Sequence, residues 1–539
     1  MRENLRLRID SISSDGTGIA RTDFGIIFVE NALPGEILRA EIILRKKDFS
    51  LARAVSIEKE SPGRVTPRCK YYGRCGGCQL QHANYETQLA IKSRIVKDAM
   101  IRIGGFDAKF FENLECESSP EIWGYRNKAA FPVQDFRGRV ATGFYRAGSH
   151  NLEFIKTCPV NAKKINFMYD KLLDNLGNLT INAYDERNNS GNLRHIILRT
   201  GINTQETLAS FVINGKLSAK NVKNLIAFGN SARPDTLTLN HNSKPGNTIL
   251  GTQTENLLGE GVIHEKLEDF SYMIDTTSFF QVNTHQAEKL FSHVRNLAKD
   301  SRNILELYSG VGSLTCYLAK KSQVTSVEEW RSAVYMARKN LRNNNLEVNA
   351  LCGRSEDIIS ELESGFDLVV LDPPRDGCER SVLESIKNFG VAKIIYVSCN
   401  PATLARDCKI LAAHGYVIEN IRSFDMFPQT AHVETCVLLV RESICDDDMV
   451  SIKVNLEGIA LDQGRYVPPA KPTYKNIKQW IFDKYGFNVS TLYIAQIKDK
   501  VGLEKRKNYN PGSGEGKVPI CPPEKEEAIM DAFRHFNLI

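Results

Sequence analysis

The segment Asn303-Ile-Leu-Glu-Leu-Tyr-Ser-Gly-Val-Gly-Ser313 decides the fold of this chain. Its apolar first half reads as a strand, its two glycines as a tight turn, and Leu314 to Lys320 as a helix. Two glycines let the backbone approach a ligand closely at the N-terminus of that helix. The pattern therefore predicts the first strand–turn–helix unit of a Rossmann-like α/β domain, although a Gly-x-Gly turn alone is a weak signal.

Two later segments complete a predicted pocket. Val324 to Glu328 reads as a second strand, and its final acidic residue, about twenty residues on, suits the hydroxyl pair of a ribose. Asp367 to Asp372 reads as a third strand, followed by two prolines that stiffen the loop beyond the sheet. Thr315 takes the third glycine position of the dinucleotide pattern, which disfavours NAD and favours S-adenosylmethionine. Each piece alone could be a surface carboxylate or a turn, but in this order they predict a methyltransferase pocket.

A thiol stands at the end of the next strand-like segment. Apolar residues Ile394 to Val397 lead into Ser398 and Cys399, and Asn400-Pro401 stops the strand. Because an open α/β sheet binds ligands at this carboxyl edge, Cys399 is a candidate nucleophile. A buried free cysteine otherwise behaves as a small hydrophobe, and that interpretation applies to Cys316, Cys352, Cys408 and Cys436.

Further along the chain a carboxylate precedes an apolar strand. Glu434 lies just before Val437 to Val440, at the end of the segment Phe424 to Glu434. A carboxylate serves as a proton acceptor when partial burial raises its basicity. His432, two residues earlier, reads more readily as a structural hydrogen-bonding histidine than as a catalytic one.

Size and composition bound the remaining possibilities. At 539 residues the chain should hold several domains, and 42% hydrophobic with 25% charged residues fits a soluble globular protein. We expect no signal peptide and no membrane span, because the first residues are charged and no apolar run is long enough. Thirteen cysteines without an export signal favour metal or catalytic thiols in the cytoplasm over disulfides. The net charge of +6 is compatible with a phosphate-rich partner.

Residues 1–60 alternate apolar and polar positions between glycine-containing turns. This pattern predicts a small β-barrel, or another small antiparallel domain. The segments Gly18-Ile-Ala-Arg21, Phe28-Val29 and Leu33-Pro-Gly-Glu36 resemble a TRAM domain, an OB-like barrel found on RNA-modifying enzymes. The resemblance implies binding of single-stranded RNA through a basic groove and base stacking.

Four cysteines share a spacing typical of a metal centre. Cys69, Cys75 and Cys78 follow the pattern Cys-x5-Cys-x2-Cys, and Cys158 precedes a proline. Four thiolates suit a 4Fe–4S cluster or structural zinc equally well, and four unligated cysteines are a further interpretation. Cys116 has no partner at ligand spacing and is left out of the set.

The segment 446–539 forms an appendix. Thr473 can cap a helix through Tyr485, and after Gly486 Ser490 can cap a second helix to Val501. This arrangement resembles a helix-turn-helix. A helical hairpin packed on the body of the protein is equally consistent with it.

Two long motifs carry the most specific resemblance. Asp372-Pro-Pro-Arg-Asp-Gly377 with Ile394–Thr403 looks like the first signature of the RNA (uracil-5-)-methyltransferase family, and Phe424–Glu434 looks like the second. The arrangement is closest to 23S rRNA enzymes that carry a TRAM domain and an iron–sulfur cluster. The family often has Asp-Leu-Tyr/Phe-Cys-Gly where this chain has Glu306 to Gly310, a departure that affects only fine positioning.

The resemblance implies a role for each candidate residue. Cys399 would be the nucleophile and Glu434 the proton acceptor in uracil methylation. S-adenosylmethionine would contact Gln281, Tyr308, Glu328 and Asp372. A 4Fe–4S cluster, rather than zinc, would be bound by Cys69, Cys75, Cys78 and Cys158.

These inferences give one expected architecture and function. The fold class is α/β: a TRAM/OB-like barrel (1–60), a central iron–sulfur α+β domain (61–270), a Rossmann-like methyltransferase domain (271–445) and a small α-helical extension (446–539). The function is methylation of carbon 5 of a uridine in 23S rRNA by a monomeric enzyme without a membrane partner. Alternatives are a tRNA uracil methyltransferase, a non-catalytic RNA-binding iron–sulfur protein, and a methyltransferase acting on a small molecule or a protein.

Overall fold

The computed structural model describes residues 4–23, 25–441, 474–485, 487, 489–501 and 521–536. The chain divides into two compact units, Met1–Ile444 and Cys445–Ile539, which are considered separately. Across the described ranges, every helix is too short or too polar to cross a membrane. The predicted helix cap Thr473 and the predicted turn residue Gly486 lie outside the described residues.

The first unit opens with a six-stranded sheet. Its strands are β1 (Asn4–Arg8), β2 (Ser11–Ile12), β3 (Gly18–Thr22), β4 (Gly25–Glu30), β5 (Ile37–Arg45) and β6 (Phe49–Lys59), in the spatial order β1-β5-β6-β4-β3-β2. Because alternate residues of a strand face opposite sides, Leu7, Val29 and Leu38 meet in one small apolar core.

A second six-stranded sheet occupies the middle of this unit. The elements here are α1 (Tyr85–Ala99), β7 (Cys116–Glu117), β8 (Lys128–Phe136), β9 (Arg139–Thr142), β10 (Phe144–Tyr145), β11 (Leu152–Glu153), α2 (Lys163–Asn175), β12 (Leu193–Thr200), β13 (Thr207–Ile213), α3 (Ala219–Asn230), β14 (Thr236–His241), β15 (Gln253–Leu258), β16 (Ile263–Leu267) and β17 (Phe270–Ile274). The sheet order is β15-β14-β13-β12-β8-β9. Helix α2 buries Ile165, Met168, Tyr169 and Leu172, which recur at helical spacing on one face. Tyr169 of this face stacks on Phe131 of β8, with ring centroids 3.9 Å apart.

The last part of the unit alternates strands and helices. Its elements are α4 (Thr284–Leu297), β18 (Asn303–Leu307), α5 (Ser313–Ala319), β19 (Gln323–Glu328), α6 (Arg331–Asn343), β20 (Asn349–Cys352), α7 (Ser355–Glu361), β21 (Leu368–Leu371), α8 (Arg380–Phe389), β22 (Lys393–Ser398), α9 (Pro401–Ala412), β23 (Tyr416–Phe424) and β24 (Glu434–Arg441). With β7 they form an eight-stranded sheet in the order β20-β19-β18-β21-β22-β24-β23-β7. Apolar clusters cover both faces, so every residue of β21 is buried.

The predicted α/β fold is confirmed, and the sheet is mixed rather than wholly parallel. Strands β18 to β22 run parallel, as the alternation of strands and helices predicted. Strand β24 is antiparallel to both of its neighbours: it forms a hairpin with β23 through the loop 425–433 and also pairs with β22. The strand order reverses between β18 and β21, and this switch point opens a ligand crevice at the carboxyl ends of the strands.

The second unit contains three described helices, α10 (Tyr474–Tyr485), α11 (Thr491–Lys500) and α12 (Pro523–His535). The hydroxyl of Ser490 accepts the N–H of Tyr493 at 3.1 Å, which is the cap predicted for the second helix. Helix α12 was not predicted from the sequence. It supplies Ile529 and Phe533 to a core shared with Ile477 and Ile494, so the described helices pack as three rather than as a simple hairpin.

Candidate active site

The thiol and the carboxyl group predicted from the sequence lie at adjoining ends of two neighbouring strands. Cys399 directly follows β22, and Glu434 is the first residue of β24. Because Ser398 pairs with Thr435 in an antiparallel register, both residues stand at the same edge of the sheet. Asp372 follows β21, the neighbour of β22 on its other side, and completes the group.

Burial controls the protonation of these three groups. Burial, together with the negative charges of Glu434 and Asp372, raises the pKa of Cys399 to about 11. Burial also raises the pKa of Asp372 to about 7 and holds the pKa of Glu434 well above its ordinary value. The guanidinium of Arg375 opposes the shift at Cys399 and at Glu434. At neutral pH the site therefore holds a thiol beside a carboxyl group of raised basicity.

The loop after Asp372 is bonded to the segment after Cys399. The carbonyl of Arg375 accepts hydrogen bonds from Asn400 Nδ2 at 2.9 Å and from Thr403 Oγ1 at 3.1 Å. Asn400 also caps α9, since its Oδ1 accepts the N–H of Ala402 at 3.1 Å. These bonds fix the position of Arg375 beside the thiol and the carboxyl group.

The glycine turn after β18 has the backbone of a close-approach loop. Tyr308, Gly310 and Gly312 have φ angles of 65°, 56° and 80°, and such a conformation is uncommon for the non-glycine Tyr308. The carboxylate of Glu328 accepts the N–H of Gly310 and the N–H of Trp330, each at 2.9 Å. The acidic residue at the end of β19 thus lies directly beside the turn, as its spacing in the sequence predicted.

Gln281 lies outside the parallel strands, in the segment between β17 and α4. Gln281 is only 7% exposed, and its backbone carbonyl accepts a hydrogen bond from Asn127 Nδ2 at 2.9 Å. Asn283, the cap of α4, donates from Nδ2 to the carbonyl of Met426 at 3.3 Å, which bonds the segment to the loop before Glu434. Phe279, two residues before Gln281, is 69% exposed and is available to contact a partner.

One buried carboxyl group at the site was missed by the sequence analysis. Glu306 lies within β18, is 2% exposed, and its Oε2 has no hydrogen-bond partner among the described residues. Burial raises its pKa to about 8, and the charges of Asp372 and Glu328 act in the same direction. A single glutamate inside the apolar strand Asn303–Leu307 was the signal that could have found it.

The four predicted metal-binding cysteines surround one cavity. Cys69, Cys75, Cys78 and Cys158 all line a space of about 1260 Å³. Burial raises the pKa of Cys78 to about 12 and of Cys158 to about 11, and the neighbouring thiols of the set add to both shifts. Gly77 donates its N–H to Cys75 Sγ at 3.4 Å. Thiolates gathered here repel one another, and a bound cationic centre would offset that repulsion.

A single-ion site is not preformed at these cysteines. Within the part of the chain that the structure describes, no three His, Cys, Asp or Glu side chains are arranged to hold one metal ion. The tetrahedral zinc site considered from the spacing would need sulfur atoms about 2.3 Å from a shared ion. The four cysteines share one cavity, and four thiols are the number and type of donor that either a 4Fe–4S cluster or zinc takes.

The same cavity extends from the cysteines to Arg375 and His432, which are close in sequence to the candidate catalytic residues. Its lining includes Arg126, Arg146, Arg375 and His432, and the turn Asp15–Thr17 of the N-terminal sheet closes it on one side. Arginine side chains along a groove suit the phosphates of a nucleic acid. Residues of the first sheet, the cysteine segment and the loops that carry Arg375 and His432 thus line one continuous space.

The fold and the site define an RNA methyltransferase, and two family matches give the class directly. A TRAM domain matches residues 2–55, which confirms the resemblance in the first sixty residues. The family described as tRNA (uracil-5-)-methyltransferase matches residues 84–442, two thirds of the chain. The chain belongs to this family of S-adenosylmethionine-dependent RNA methyltransferases, as its two signature motifs predicted.

Individual relatives agree with this assignment. An RNA methyltransferase of Clostridium tetani is 37% identical over 445 residues, covering 80% of this chain and 95% of that protein. One from Thermosynechococcus vestitus is 36% identical over 450 residues, covering 81% and 97%. The crystal structure of the Pyrococcus abyssi tRNA (uracil-54, C5)-methyltransferase with S-adenosyl-L-homocysteine is 30% identical, with a TM-score of 0.66, and covers 81% of this chain and 100% of that one.

Proposed function

We propose that this protein methylates carbon 5 of a uridine in 23S rRNA, with Cys399 as the nucleophile and Glu434 as the proton acceptor. The observation that carries the proposal is the position of the two side chains. They stand on adjacent strands at one edge of the sheet, beside the loop that carries Asp372 and Arg375. One pyrimidine ring bound there would touch both groups.

The residues of the chain account for each step. The thiolate of Cys399 adds to carbon 6 of the uracil and turns the ring into an enolate, so that carbon 5 becomes nucleophilic. S-adenosylmethionine supplies the methyl group that carbon 5 takes up. Glu434 then removes the proton left on carbon 5, and the electron pair released expels Cys399 as a thiolate. The target base must leave its stack to reach a half-buried thiol, so a flipped nucleotide is expected.

The electrostatics of the site suit this order of events. Burial gives Glu434 a raised basicity, which favours its taking a proton from carbon 5. The pKa of about 11 at Cys399 keeps the resting enzyme in the unreactive thiol form. Arg375 already favours the thiolate in the empty site, and the positive charge of the bound methyl donor would add to this effect when the site is filled.

The cofactor contacts are also part of the proposal. Glu328, already beside the glycine turn, would accept the ribose hydroxyls. Tyr308 and Asp372 stand at the ends of the strands on either side of the switch point, and Gln281 lies three residues before α4. Together these four residues would orient the methyl donor toward Cys399.

We propose further that Cys69, Cys75, Cys78 and Cys158 bind a 4Fe–4S cluster. Four thiols around one cavity and a backbone N–H directed at Cys75 support this proposal. None of the chemical steps needs an electron, so the cluster would have a structural role. The proposed division of the chain assigns 1–60 to the TRAM barrel, 61–270 to this cluster domain, 271–445 to catalysis and 446–539 to an accessory extension.

The choice of RNA has a specific rival. The TRAM domain and the four-cysteine set support 23S rRNA, because they resemble the arrangement of the rRNA enzymes. The Pyrococcus abyssi tRNA enzyme, at 30% identity across its whole length, favours a tRNA substrate instead. Methylation of separate 23S rRNA and tRNA transcripts, followed by mapping of 5-methyluridine, decides between them.

Replacement of Glu434 by glutamine tests the catalytic assignment. An amide keeps the shape of the side chain but accepts no proton, so methyl transfer should proceed while release stalls. The variant should accumulate a covalent RNA adduct that survives denaturing electrophoresis. Glu419→Gln on exposed β23 is the matched control and should show no adduct. Normal release from Glu434→Gln would exclude Glu434 as the base.

A further inference from the structure

The loop 425–433, which joins β23 to Glu434, is bonded to the rest of the unit on several sides. Lys92 of α1 donates to the carbonyl of Phe427 at 3.0 Å and pairs with Asp425. The hydroxyl of Tyr125 donates to the carbonyl of Pro428 at 3.0 Å. These contacts come from segments far away in sequence, so the position of Glu434 depends on how they pack.

Gln429 is the residue of this loop with the most such bonds. It is 2% exposed and has a φ angle of 75°, in the left-handed region. Its N–H donates to Gln88 Oε1 at 2.9 Å, and its Oε1 accepts Gln88 Nε2 at 3.1 Å. Its Nε2 donates to the carbonyl of Ile122 at 3.3 Å. A buried residue with a strained backbone and satisfied polar groups is held by its surroundings rather than by local preference.

The remaining bonds of Gln429 run to the cysteine segment. Its carbonyl accepts the N–H groups of Gln79 and Leu80, at 3.1 and 3.0 Å. Gln79 directly follows Cys78 in the chain. The residue next to one of the four cysteines is therefore hydrogen-bonded to the loop 425–433. Five residues further along the chain stands Glu434.

We propose that Gln429 is a positioning residue that transmits the placement of the Cys78–Leu80 segment to the carboxylate of Glu434. The inference rests on the proposed role of Glu434 as the proton acceptor. Gln429 does not touch the reacting atoms; it sets where the loop ends and therefore where the carboxylate lies. A four-cysteine centre that supplies no electron thereby affects one chemical step, the removal of the proton from carbon 5.

Gln429→Gly is the most informative variant. Glycine adopts a φ of 75° without strain and keeps the backbone N–H and the carbonyl, while the two side-chain bonds, one to Gln88 and one to Ile122, are lost. Gln88→Ala removes both bonds between Gln88 and Gln429 from the other side and leaves the bond to Ile122 in place. Asn242→Ala is the control, because Asn242 is equally buried and bonds the carbonyls of Thr248 and Ile249, away from this loop.

The assay uses the full-length enzyme and RNA carrying tritium at carbon 5 of uridine. Tritium release reports proton removal, and single-turnover methyl transfer and S-adenosylmethionine affinity are measured beside it. Gln429→Gly and Gln88→Ala should release tritium about tenfold more slowly and accumulate adduct, because a small displacement of a catalytic group is costly. Methyl transfer, cofactor affinity and cluster absorbance should be unchanged, and Asn242→Ala should behave as wild type.

The outcomes separate this inference from the proposed function. If Glu434→Gln stalls while both glutamine variants release tritium normally, the positioning role is wrong and the proposed function stands. If Gln429→Gly slows every step equally, its role is general stability and the inference fails. If Glu434→Gln itself releases normally, the proposed function fails first. Gln429→Gly combined with Glu434→Gln should add nothing to the stall, since both act on one step.

Discussion

Replacement of Lys92 by methionine tests the buried ion pair beneath the loop that leads to Glu434. Lys92 and Asp425 are both 0% exposed, and Lys92 Nζ also donates to the carbonyl of Phe427 at 3.0 Å. Methionine keeps the length of the side chain but leaves the Asp425 carboxylate buried without its cation. The second oxygen of that carboxylate already lacks a hydrogen-bond partner among the described residues. Removing one partner of a buried pair costs about 3–5 kcal/mol.

This cost converts into a melting temperature. An unfolding entropy of about 2.1 cal/mol/K per residue, over the 444 residues of the first unit, gives about 0.9 kcal/mol per kelvin. Lys92→Met should therefore lower Tm by about 3–5 °C in thermal melts followed by circular dichroism. Lys320→Met, which breaks an exposed pair with Asp269, is the control and should shift Tm by less than about 1 °C.

A double variant completes the test. Lys92→Met with Asp425→Asn removes both charges, so no uncompensated charge stays buried, and much of the lost stability should return. The residual loss reflects the missing hydrogen bond from Lys92 to the carbonyl of Phe427, which still accepts from Thr430, and it should be only about 0.5–1.5 kcal/mol. Equal shifts for Lys92→Met and Lys320→Met, or a double variant as unstable as the two single losses combined, would refute the reasoning.

Four further predictions follow from the site and the second unit. Cys399→Ala should abolish methylation. The wild-type kcat/KM, which reports on the free enzyme, should rise about tenfold per pH unit from 7 to 9, because the pKa of about 11 leaves little thiolate in the empty site; a flat profile would contradict this. Glu306→Gln should raise Tm. The wild-type protein loses stability between about pH 4.5 and about pH 8, because the carboxyl group of Glu306 ionises in the unfolded chain but stays protonated in the folded one. The gain in Tm should therefore grow across this range and be constant above it. Iron analysis should give about four atoms per chain, reduced by Cys78→Ser, and stoichiometric zinc would contradict the cluster. The helix-turn-helix resemblance of the segment 446–539 predicts that it binds RNA through its lysines, so deleting it should weaken RNA binding and flatten the salt dependence of binding; an unchanged salt slope would contradict this prediction.

Local sequence patterns predicted the parts of the site that are themselves local. The glycine turn, the acidic end of β19, the Asp-Pro-Pro loop and the thiol after β22 each follow one apolar strand, and strand ends can be located from a short window. The elements come out near their predicted limits: the helix expected from Leu314 to Lys320 runs from Ser313 to Ala319. The cap at Ser490 is likewise a contact between residues three apart.

The contacts that fix the loop 425–433 could not be predicted from local sequence patterns. Gln88 and Gln429 are 341 positions apart, and Lys92 and Asp425 are 333 apart. Neither partner carries a local signal, because a glutamine or lysine on a helix is ordinarily a solvated residue. Glu306 was passed over for a related reason: only the packing of the sheet shows that its carboxyl group is buried. Helix α12 was missed because its charged first turns conceal a short apolar stripe.

The antiparallel direction of β24 brings Cys399 and Glu434 together. A wholly parallel sheet, as the sequence predicted, would have placed them at opposite edges. Cys399 follows its strand, whereas Glu434 begins its own. In parallel strands those positions lie at opposite edges, and β22 is six residues long, so the side chains would be about 20 Å apart. Insertion of β24 antiparallel between β22 and β23 reverses this and brings the first residue of one strand to the last residue of the other. The loop 425–433 must therefore both turn the chain and deliver a buried carboxylate, which gives a physical reason for its many bonds to distant segments.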